Sequence, residues 1–168
     1  MSASRIIRPS RRNGMSIKLR RALLAVLAFV ATYTGGWAYF APENWYANFP
    51  GFGLSWLPQL GPYNMHLAMD DGAMFLAMAV LSLFAVRYAN NMPVVQITAC
   101  TWLVFNVLHF TFHMRHLSVY NTMDKILNVV ALSLLVLITV ALFARRPEGE
   151  VMREESRKPS VGSTSGDR

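Results

Sequence analysis

The sequence predicts an all-α integral membrane protein, a bundle of four spanning helices, and three observations carry that prediction. The 168 residues are 54% apolar and 15% charged, whereas a soluble domain carries about 25% charged residues. The charge is segregated, because between Ala22 and Ala144 the only basic residues are Arg87, Arg115 and Lys125. Within that interval four stretches reach the roughly 20 apolar residues that cross a bilayer. A net charge of +7 on a soluble chain suggests nucleic acid, but such a binder spreads its basic residues over a folded face. Here they sit in the two tails, and no nucleic-acid partner is expected.

The first span runs over residues 22–41 without a charge. Its length and its poor small-x-small site around Trp37-Ala38-Tyr39 favour a retained helix over a cleaved signal. The second covers about 64–86, with Asn64 as its cap and Asp70 and Asp71 near its start. The third covers about 93–114, with Pro93 in its first turn, where proline is tolerated. The fourth covers about 121–144, with Asn121 as its cap, and ends before Arg145-Arg146-Pro147. The tails, 1–21 and 145–168, read as disordered, the first rich in Arg and Ser and the second a mix of Glu, Arg, Ser and Gly with almost no bulky apolar side chains. Seven basic residues precede the first span and six follow the last, with Arg87 on the same side; only Arg115 and Lys125 face the other way. The positive-inside rule therefore places both termini in the cytoplasm of a plasma-membrane protein.

The loop from Pro42 to Tyr63 holds Trp45, Tyr46, Phe49, Phe52 and Trp56 among prolines and glycines. Aromatic side chains favour the membrane interface, so this loop is expected to cap the outer surface. Cys100 is the sole cysteine, which excludes disulfide frameworks, cysteine-based zinc sites and CxxC redox chemistry.

Ionisable residues inside spans are candidates for function, and here they converge. His66 and Asp70, His109 and His113, and Asp124 and Asn128 are each four residues apart, so each pair shares a helix face, and all three pairs lie near the outer ends. His66, Asp70, His109 and His113 are the expected metal ligands, since imidazole and carboxylate together suit zinc, copper, iron or nickel. Asp124 or Asn128 would orient a histidine from behind. Two histidines on different helices could also clamp a haem or bind a quinone or other lipid-soluble molecule. A third reading makes the cluster a hydrogen-bonded network that fixes helix register in an accessory or scaffold subunit, with a membrane partner or a second copy. An enzyme would need an open coordination position and a substrate route. The His-x3-His-x2-His spacing lacks the further histidines of membrane desaturases. Asp71 is expected to pair with Arg115.

The segment Asn48-Phe49-Pro50-Gly51-Phe52-Gly53, with Tyr63-Asn64-x-His66-x3-Asp70-x-Gly72 and His109-x3-His113, resembles a group of small four-span membrane proteins common in actinobacteria. The resemblance covers about residues 22–144 and departs from the group at the second acid, Asp71. It implies a bacterial plasma-membrane protein and supplies no mechanism.

Overall fold

The computed structural model describes residues 15–144, and Ile17–Phe143 form one compact unit. Four of its helices are long and apolar enough to cross a membrane: α1 (Ile17–Phe40), α3 (Met65–Arg87), α4 (Met92–Arg115) and α5 (Thr122–Ala141). Between α1 and α3 the chain makes the short α2 (Pro42–Asn48), a hairpin of β1 (Pro50–Gly51) with β2 (Leu54–Ser55), and one 3-10 turn (Leu57–Gln59). The expected cap loop is thus built from small regular elements. The helix α1 begins five residues before the expected start, because Lys18, Arg20 and Arg21 are good helix formers and continue its turn. Residues 17–21 therefore belong to the helix. Residues 1–14 and 145–168 of the expected disordered tails lie outside the described residues.

Asparagine side chains start three of the long helices. Asn64 accepts from the Leu67 amide at 3.1 Å, Asn91 from Val94 at 3.4 Å and Asn121 from Asp124 at 2.9 Å. Each satisfies an amide that the first turn leaves without a partner. Hydroxyls inside the helices bond back along their own helix: Thr32 to Ala28, Ser82 to Met78, Thr98 to Val94 and Thr139 to Leu135. Each hydroxyl is thereby partnered within its own helix. Large apolar side chains such as Phe29, Val80, Leu108 and Leu137 stay exposed on the outward faces, far more apolar surface than soluble monomers show.

The long helices alternate in direction, so one end gathers the close of α1 and α4 with the start of α3 and α5. This is called the capped end, since α2 and the hairpin lie there. The closest pair is α1 with α3, made possible by glycine. A Cβ on Gly35 would come within 2.7 Å of the Leu76 amide nitrogen, and one on Gly72 within 2.6 Å of Tyr39 nitrogen. Small residues bring membrane helices into backbone contact in this way. Next closest are α4 and α5, held by Asn106, whose Nδ2 donates to Thr139 Oγ1 at 2.9 Å and to Leu135 oxygen at 3.3 Å. The two pairs meet where Phe75 packs edge-on to Phe105 at 5.1 Å and Trp102 donates to Ser82 at 2.8 Å. From there an apolar core of Leu24, Leu27, Met78, Ala85, Val95, Ala99, Trp102 and Leu142 runs toward the α3–α4 turn.

Because backbone atoms, which cannot yield, face Gly35 and Gly72, alanine at either position lowers stability by about 1–3 kcal/mol. Gly36 has nothing within 4 Å of its missing Cβ, so Gly36→Ala leaves stability unchanged or raises it by up to about 1 kcal/mol. Unfolding of the three variants in detergent micelles checks both signs.

Candidate functional site

The four expected ligands divide into two pairs. His66 Nε2 lies 3.3 Å from Asp70 Oδ2, and these side chains are 87% and 64% exposed. The inward stripe of α3 is Ala68, Gly72, Phe75 and Ala79. Asp70 stands two residues, about 200°, from Ala68 and Gly72, so the face it shares with His66 turns outward. On α4 the inward stripe is Val95, Ala99, Trp102, Asn106 and His113, and His109 falls beside it. His109 stacks on Phe105 at 5.0 Å and meets His113 edge-on at 4.5 Å. Among the described residues no three of His, Cys, Asp and Glu are grouped to hold a metal ion, so His66, Asp70, His109 and His113 are not gathered as one ligand set. Asp71 makes no ion pair with Arg115, and His116 Nδ1 instead lies 2.8 Å from Phe112 oxygen.

The polar cluster that does form is centred on Asp124, which is buried at the first turn of α5. Its Oδ1 accepts from the Trp56 indole N–H at 3.0 Å and its Oδ2 from Asn121 Nδ2 at 2.6 Å. Asn121 Oδ1 in turn accepts from the Asp124 amide, so the cap and the acid hold each other. Trp56 reaches this acid from the segment after β2, across 68 positions of sequence. Its ring lies 6.5 Å from Tyr120, whose own ring lies 6.4 Å from His113 and within 19° of parallel to it.

The Asn106 bonds fix the register of α4 against α5. Two turns toward the capped end, His113 comes level with the turn of α5 that carries Asn128. His113 Nδ1, the Tyr120 hydroxyl and Asn128 Nδ2 are all buried with no hydrogen-bond partner in the protein. Buried polar atoms are nearly always partnered, so these three mark where this end could accept a guest with hydrogen-bonding atoms. Burial, with the Asp124 carboxylate adding to it, pushes the Tyr120 phenol up to about 12.

Sequence reasoning placed Asp124 and Asn128 at this end and named Asn121 as a cap. It missed Trp56 and Tyr120 as partners, because Trp45, Trp56 and Tyr63 all fit an interfacial belt equally well. A helix-start acid with its own asparagine cap was the available signal that a donor from elsewhere could complete the set. No known protein family, curated protein or solved structure matches the chain.

The Tyr120 phenol binds its proton more tightly in the fold than at its ordinary value of 10.0. Its contribution to stability is therefore complete below about pH 10 and is lost as pH rises through about 12. The melting temperature is expected to fall more steeply across this window in the native protein than in Tyr120→Phe, measured in the same detergent; equal slopes contradict the assignment.

Proposed function

We propose that the chain is a multi-pass plasma-membrane protein, both termini cytoplasmic, that serves as a non-catalytic accessory or scaffold subunit. Its polar cluster holds the segment 42–63 on the bundle. The membrane reading is supported by four apolar helices whose outward faces expose large apolar side chains, and the orientation by the basic residues at their cytoplasmic ends. The observation that carries the scaffold role is the buried Trp56–Asp124 hydrogen bond. Both carboxylate oxygens of Asp124 are engaged by N–H donors of the protein itself. An acid occupied in that way contributes shape, and its removal leaves the buried Trp56 N–H without an acceptor.

One observation favours a second reading, a ligand-binding protein for a transition metal, haem or quinone. It is the set of three unpartnered atoms on His113, Tyr120 and Asn128. His109 and His113 would supply imidazole to that guest.

A single set of purified variants separates the two. The scaffold reading expects Asp124→Ala to lower stability by about 2–3 kcal/mol and to open residues 42–63 to protease, with no ion or chromophore lost. The ligand reading expects a stoichiometric metal by elemental analysis, or a haem or quinone by absorbance, that disappears in the His109→Ala/His113→Ala double variant. Such a ligand in the native protein would overturn the scaffold reading.

A further inference from the structure

Phe52 is 98% exposed, the most exposed large apolar side chain among the described residues. It stands at the tip of the β1–β2 hairpin with φ at 58°, between Gly51 at 96° and Gly53 at 81°. In that left-handed region glycine is the unstrained residue. A phenylalanine there is strained and gains no burial against its own chain, so the gain from its ring lies outside the chain.

The mounting of the hairpin identifies what is outside. Pro50 oxygen accepts from the Tyr33 hydroxyl at 3.1 Å, and a Cβ on Gly51 would come within 2.9 Å of that same hydroxyl. The hairpin therefore lies against α1. Tyr33 is seven residues before the end of α1 at Phe40, roughly 10 Å down the helix. At this depth α1 carries an aromatic ladder: Phe29 to Tyr33 at 6.1 Å, Tyr33 to Trp37 at 5.5 Å, and Trp37 to Phe49 at 6.4 Å. Phe29 and Tyr33 are exposed on it. Polar backbone atoms at the base of the hairpin are satisfied inside the protein, since the Ser55 hydroxyl donates to Ala47 oxygen at 2.7 Å and the Trp56 amide to Phe49 oxygen at 2.9 Å. Irregular backbone at membrane depth requires such internal partners, and aromatic rings favour the layer between headgroups and acyl chains.

We propose that the hairpin is a re-entrant finger that inserts Phe52 among the lipid acyl chains, just below the headgroups of the leaflet at the capped end. The inference rests on the membrane-spanning reading of the four helices and adds that part of the segment between α1 and α3 leaves the aqueous phase.

The test places a nitroxide on the full chain in lipid nanodiscs of phosphatidylethanolamine and phosphatidylglycerol. Cys100→Ser removes the native thiol, and Phe52→Cys or Leu137→Cys supplies the label site; Leu137 is an exposed residue far along α5. Collision with oxygen reports lipid and collision with a water-soluble nickel chelate reports solvent. The proposal expects both labels on the oxygen side. Leu137 in lipid with position 52 open to nickel overturns the finger alone. Both labels open to nickel overturn the spanning reading and the finger with it. A label at 52 closed to both reagents shows protein against it and also overturns the proposal. Phe52→Trp with brominated acyl chains gives the same answer without a label: quenching beyond that of the native tryptophans is expected, and none contradicts it.

Discussion

The hydrogen bond from the Trp56 indole to the buried Asp124 carboxylate is the contact on which the capped end depends. Without it the segment 42–63 is fixed to one side of the bundle only. Trp45, on α2, packs with Ala38 of α1 and Ala68 of α3, which secures the segment to the first helix pair. Trp56 secures it to α5 of the second pair. The two tryptophans thus span helices that have little direct contact there, since α1 barely meets α5. Asn121 makes the arrangement economical, because one side chain caps α5 and holds the acid in place. A buried carboxylate without such donors would be costly.

The two ends of the molecule solve different problems. Toward the α3–α4 turn, apolar packing joins the pairs around a single side-chain bond, with Trp102 fully buried and its N–H given to Ser82. Glycines at 35 and 72 set the distance between α1 and α3, and the serine and threonine hydroxyls are absorbed by their own helices. Toward the capped end the interior turns polar, with Asn106, His113, Asp124 and Asn128 buried in succession along α4 and α5. Polar side chains between membrane helices contribute about 0.6–2 kcal/mol each, enough to choose a register without dominating stability. Asn106 does that for α4 against α5, and the same register brings His113 level with Asn128.

The long helices were legible in the sequence because uncharged apolar runs and asparagine caps are local signals. Asn64, Pro93 and Asn121 marked three starts, and each lies where the chain turns into a helix. The sequence also showed that polar residues collect at one end. It could not show which face each pair takes. His66 and Asp70 share a face, as their spacing requires, but the small residues Ala68 and Gly72 claim the interior of α3 and turn that face outward. Nor could spacing reveal that Asp124 takes its donor from Trp56, a contact across 68 positions chosen by the path of the hairpin and not by any local pattern.

The most direct test of this account is a double-mutant cycle on Trp56→Phe and Asp124→Ala, read as unfolding free energy in detergent. Phenylalanine keeps an aromatic ring beside Tyr120 but removes the N–H together with part of the indole. That packing loss is common to both arms of the cycle and cancels, so the coupling reports the bond. If the tryptophan and the acid hold the capped end together, the two losses are non-additive by about 1–3 kcal/mol. Additive losses would mean that the indole and the carboxylate act independently, and would contradict the account.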